Sequence, residues 1–182
     1  LIGDVELVYI LDKETDWSEG MNNFGIGIVN SALMVNADEK EKKLIKKGGS
    51  TSEDGLKIRK ALSYKSPADS IQSIVNFTGK DKVEVGVKGH TFIATPKASF
   101  SIELTSEHQP VLKKLNRKFN HARTNHGYAY KDSGYTSGTS KTSSETRWDI
   151  AHKILNKAKT PNDILDGLSG YWPVDNMRNN PF

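Results

Sequence analysis

The sequence predicts an α+β fold, and three observations predict it. Short β-branched and aromatic runs, separated by polar turns, open the chain and return in its middle. Segments with helical spacing fall between and after these runs. The two kinds come in blocks rather than in strict alternation, which argues for α+β over repeating βαβ units. Two antiparallel sheets with helices packed outside, a four-layer αββα sandwich, fit this order.

The elements follow in turn. Val5 to Leu11 reads as a buried strand. Gly25 to Val29 and Ala32 to Val35 read as a hairpin turning at Asn30-Ser31. Asp38 to Ser52 is charged, then rich in Gly and Ser, and reads as a connection. Asp54 to Leu62 has helical spacing at Leu56, Ile58, Ala61 and Leu62, with Ser52 or Asp54 as cap. A second helix starts at Ser66-Pro67, with Ala68, Ile71, Ile74 and Val75 as its apolar face and Gly79 as its stop. Val83 to Val87, His90 to Thr95, Ser99 to Leu104 and Lys118 to Thr124 read as strands, with a turn at Pro96-Lys97-Ala98. Asp132 to Ser143 reads as a loop. Ser144 to Lys159 is a long helix whose core face is Ile150, Ala151, Ile154, Leu155 and Ala158, and Asn162 to Leu168 is a short one after Thr160-Pro161.

Composition narrows the function. With 182 residues, 35% apolar and 26% charged, the chain suits one domain, residues 1–182, with a core of its own. No run approaches the roughly 20 apolar residues that cross a bilayer, so no membrane partner is expected. The net charge is +4. Acids interrupt the lysine run from Lys40 to Lys47, which suits a solvated face, and no nucleic acid is expected as a partner. The absence of cysteine excludes disulfides and thiolate metal sites, and with no visible signal segment it leans towards a cytoplasmic location. The five histidines are scattered, and His121 and His126 are not spaced as a one-face helical pair, so no metal and no cofactor is expected. Gly134 to Ser140 lacks the Gly-Lys-Ser/Thr ending of a phosphate loop.

The residues that could carry chemistry are Asp16-Trp17, Arg123-Thr124-Asn125-His126-Gly127 and Ser143-Ser144-Glu145-Thr146-Arg147. With Gly25 to Leu33, Asp54-Gly55-Leu56, Ala68 to Ile74 and Gly89 to Ala94, they form an ordered set from Val5 to Leu168. That set resembles the N-terminal nucleophile hydrolases, in the branch of penicillin acyltransferase-like and conjugated-bile-acid-hydrolase-like amidases. The resemblance implies an αββα fold. It also implies an amidohydrolase or acyltransferase that cleaves the linear amide bond of a small molecule. The first residue of the mature chain attacks and its own α-amine takes the proton. Leu1 cannot be that residue, so the resemblance places a Cys, Ser or Thr just upstream of it.

The resemblance further implies catalytic roles for Asp16, which would orient the α-amine, for Asn125 as oxyanion donor, and for Arg147, which would position the nucleophile or the carbonyl. Trp17, Arg123 and His126 would face the substrate. Read from the residues alone, Asn125 beside Gly127 also suits a turn, Asp16 a cap, and His126 a structural role. Arg147 in the first turn of a helix opposes the helix dipole. Lys13 fits the family pattern and Glu14 departs from it. The strands that close the second sheet are not evident after Leu168. A catalytically inactive relative serving as a binding or structural subunit is the alternative, and a homo-oligomer is compatible with either.

Overall fold

The computed structural model describes residues 3–13, 16–31, 33, 54–76, 86–105, 108–116, 120–130 and 143–171. Six strands form one antiparallel sheet in simple chain order: β1 (Leu7–Leu11), β2 (Ser18–Asn22), β3 (Gly27–Ser31), β4 (Gly89–Ala94), β5 (Ser99–Leu104) and β6 (Val111–Leu115). Two helices, α1 (Asp54–Leu62) and α2 (Pro67–Val75), lie between β3 and β4 in sequence; α3 (Ser143–Lys157) and α4 (Pro161–Tyr171) follow β6. The protein is α+β.

The register decides which face is core. Ile28 pairs with Ile93, and along the neighbouring strand Ile102 shares their side. These isoleucines pack with Ile26, Val87, Ile58, Ala61, Leu62 and Ile74, so α1 and α2 cover this face. Fully burying each isoleucine, leucine or valine among them contributes roughly 1.5–3 kcal/mol. The opposite face of β1 to β3 stays open. Val8 (73% exposed), Ile10 (79%) and Met21 (58%) point there together with Val29.

Asn22 ties sheet to helix. Its Nδ2 donates to the carbonyls of Leu62 and Tyr64, both at 2.8 Å, where α1 runs out of its own donors. Its Oδ1 accepts from the N–H groups of Phe24 and Ile26, both at 3.0 Å, which shapes the β2–β3 turn.

Several sequence expectations are corrected. Asn30-Ser31 is not a turn: both residues sit inside β3, opposite Thr91 and His90. The hairpin partner of β3 is β2, whose Ser-Glu-Gly-Met-Asn sequence has little strand character of its own and is held by its neighbours. Gly20 is required there, because a side chain would enter the space of Val8 and Tyr9 on β1. The four strand residues Ala32 to Val35 lie outside the described residues except Leu33, which is not in a strand. Residues 120–124 are irregular rather than a strand, and the sixth strand is instead Val111–Leu115, directly after Pro110.

Residues 83–85 lie outside the described residues, and 86–88 are not in a strand. The second helix ends at Val75 with Asn76, not Gly79, as its C-cap, and Ala68 is exposed while Ser70 is buried. The long helix stops at Lys157, short of Lys159, and the last one runs beyond Leu168 to Tyr171. Two sheets are expected from the sequence; the described residues form one.

Candidate active site

Ser31, His90, Glu103 and Val111 stand level across β3 to β6. Trp17, one residue before β2, meets the same end of the sheet. Neighbouring strands lie about 4.8 Å apart, so the Asp16-Trp17 corner and His90 on β4 are separated by roughly 10 Å.

Asp16 occupies that corner with φ +56°, a left-handed conformation that aspartate tolerates better than most residues. Arg59 of α1 grips it. Its Nη2 donates to both carboxylate oxygens of Asp16, at 3.1 and 2.9 Å, and its Nη1 donates to Ser18 Oγ at 2.5 Å and to the Asp16 carbonyl at 3.3 Å. Gly55, also on α1, packs so closely beneath that carbonyl that no side chain would fit. Among the described residues, the carboxylate of Asp16 bonds to Arg59 alone.

The second half of the site comes from the 120–130 segment and the start of α3. Thr124 Oγ1 donates to the Ser144 carbonyl at 2.8 Å, and Ser144 Oγ lies 3.0 Å from both Thr124 Oγ1 and His126 Nδ1. Ser144 is fully buried. These bonds stitch the segment to the first turn of α3. Arg147 lies three residues after Ser144, on the same side of the helix. Its Nη2 donates to Asn125 Oδ1 at 2.7 Å. Because only the oxygen of an amide can accept from a guanidinium, this bond fixes the amide: oxygen towards Arg147, the two Nδ2 hydrogens away from it.

Beneath the segment lies a buried ionisable pair. Glu103 is 3% exposed. Its carboxylate accepts from the backbone N–H groups of Tyr128 (3.0 Å), Ala129 (2.8 Å) and Tyr130 (3.0 Å). His90 Nε2 donates to the His126 carbonyl at 2.8 Å, and its Nδ1 faces Glu103 Oε2 at 3.5 Å. The loop after Asn125 is thus anchored on both sides by β4 and β5. Burial lowers the pKa of His90; the His126 carbonyl and Glu103 pull it back in part. Burial likewise lowers the pKa of His126, with Glu145 opposing.

Arg123 stacks on Tyr128, its guanidinium carbon 3.7 Å from the ring centre, with Phe92 at 5.7 Å. Of the residues expected from the sequence, the structure joins Asn125 directly to Arg147. It sets His126 and Arg123 around them. It places Asp16 and half-buried Trp17 at the same end of the sheet, with Asp16 engaged by Arg59. Arg59 and Glu103 had no part in the sequence reading of the site; Thr124 and Ser144 stood within its motifs but were given no role. Glu103 carried one signal, a lone acid in the strand Ser-Phe-Ser-Ile-Glu-Leu, but alternation assigns it to the face away from the core.

Among the described residues, no group of three or more His, Asp or Glu stands together as a metal site, and no helix is long and apolar enough to cross a membrane. The chain matches no protein-family model, no curated protein and no solved structure.

Proposed function

We propose that the chain is the body of an N-terminal nucleophile amidase or acyltransferase, cleaving a linear carbon–nitrogen amide bond with a nucleophile that lies just upstream of Leu1. The observation that carries this reading is the Arg147–Asn125 bond at 2.7 Å. An asparagine whose oxygen is pinned by a cation presents its N–H groups in a fixed direction, as an oxyanion donor must. As the nucleophile adds to the carbonyl carbon, the C=O oxygen gains charge and takes up Asn125 Nδ2. The tetrahedral adduct then collapses, the C–N bond breaks, the amine leaves with the proton that the α-amine received, and water or an acyl acceptor then takes the acyl group from the nucleophile. In this reading Asp16, oriented by the Arg59 fork, fixes the α-amine.

The four-layer αββα sandwich belongs to the same proposal. Its support is the open apolar face of β1 to β3, where Val8, Ile10, Met21 and Val29 lie on the side away from α1 and α2. A second antiparallel sheet packed there would bury them.

The test is turnover of a set of acyl p-nitroanilides by the intact protein. Asn125→Ala lowers kcat about 100-fold or more with the fold unchanged by circular dichroism. Unchanged turnover in that variant removes Asn125 from the site, and an inactive wild-type protein removes the amidase reading.

A further inference from the structure

Arg123 is a cation prepared for a partner that the described residues do not supply. Its guanidinium is half buried between Tyr128 and Phe92. Its hydrogen bond runs from Nη1 to the carbonyl of the preceding residue, Ala122, at 2.7 Å. Among the described residues no carboxylate reaches ion-pair distance of it. Glu103 is near enough to be felt, but its oxygens are taken by three backbone N–H groups.

A guanidinium carries five donors in a rigid fork suited to two-oxygen anions. Here stacking holds that fork still and leaves most of its donors unused. Burial lowers the pKa of Arg123, and Tyr128 and Glu103 offset this only in part. A bound anion would relieve that burden.

A second observation points to the same place. Trp148 Nε1 and His152 Nε2 are buried with no hydrogen-bond partner, and their rings lie 4.2 Å apart. Buried polar atoms are nearly always paired. His152 stands close enough to Arg123 for that guanidinium to add to the lowering of its pKa, after burial. In sequence Arg123 stands two residues before Asn125, and Trp148 directly follows Arg147, so both features border the Asn125–Arg147 pair along the chain.

We infer that Arg123 is an anion subsite beside Asn125, and that the amide taken by this site carries a carboxylate, received in the Arg123 fork against Tyr128. The inference rests on the amidase reading for the amide but not for the anion.

The experiment uses succinyl p-nitroanilide, an amide with a free carboxylate, and its methyl ester, which differs in lacking the charge. Binding to the intact protein is followed by NMR at the Arg123 Nε–H and the Tyr128 ring, and turnover by p-nitroaniline release. The acid shifts both signals saturably and binds about tenfold or more tighter than the ester. Arg123→Gln abolishes the difference, and Arg123→Lys, which keeps the charge but not the fork, restores part of it. Equal binding of acid and ester, no saturable shift at Arg123, or discrimination that survives in Arg123→Gln would overturn the inference. Selective binding without release of p-nitroaniline upholds the subsite and retires the amidase reading. Release from both compounds with equal KM does the reverse.

Discussion

Arg147 donates to the side-chain oxygen of Asn125 across 2.7 Å, and this bond decides which end of the amide faces outward. Arg147 is the fifth residue of α3, just past the first turn where the helix dipole most disfavours a cation, and it grips the asparagine from there. Arg147→Met removes the cation from the Asn125 side-chain oxygen. On the proposed amidase reading, turnover of acyl p-nitroanilides is expected to fall by about 10- to 100-fold through kcat, since the donor loses the cation that orients it. Melting temperature stays within a few degrees, because the pair is only half buried. A change confined to KM would show that Arg147 binds substrate and does not orient Asn125.

Glu103 holds three consecutive N–H groups from a buried position. Glu103→Gln leaves one accepting oxygen and turns an amide N–H against the donors. A loss of about 2–3 kcal/mol of stability is expected in urea unfolding. Hydrogen exchange at the amides of Tyr128, Ala129 and Tyr130 should accelerate more than at β1, which Glu103 does not touch. Uniform acceleration over the whole chain would leave Glu103 with no local role.

Burial lowers the pKa of His90, His126 and His152 below the ordinary 6.5. The folded protein therefore takes up fewer protons than the unfolded chain as pH falls from 6.5 towards the folded-state values. Stability is full above about pH 6.5 and is lost as pH falls through the folded values. His90 is faced by Glu103, Arg123 and His126. His90→Gln keeps a donor for the His126 carbonyl but does not titrate, so the drop in melting temperature from pH 7.5 to 5 should shrink. An undiminished drop in that variant would assign the effect elsewhere.

Asn22→Ala removes four hydrogen bonds in one step and strands carbonyls at the end of α1 together with the buried N–H of Ile26. About 3 kcal/mol or more of stability should be lost. Asn22→Asp should fare no better, since it keeps the acceptor and loses both donors. Wild-type midpoints in either variant would refute the role given to this side chain.

What could be read from the sequence was what local pattern encodes. α1 follows from the spacing of Ile58, Ala61 and Leu62, and β4 and β5 from their alternation about Pro96. β2 could not be read this way, because Ser18, Glu19, Gly20 and Asn22 are chosen for contacts with β1, α1 and Asn30 rather than for strand preference. Asn30-Ser31 suggests a turn by composition, but pairing with β4 extends it. Asn125 and Arg147 were legible as residue types at defined places. Arg59 and Glu103 were not, because each acts on a segment distant in sequence: Asp16 and the 128–130 loop.

The chain order of the sheet has a kinetic consequence. β1 to β3 and β4 to β6 each pair through short connections, but the central β3–β4 pairing must close the long stretch that holds both early helices. Closing such a loop costs more chain entropy than either short connection, so two three-stranded halves are expected to form before they dock. Asp16 rides on one half, and Asn125 is moored to the other through His90 and Glu103. Before docking, neither half holds all of these groups, so on the proposed amidase reading a folding intermediate that stops short of it would release no p-nitroaniline.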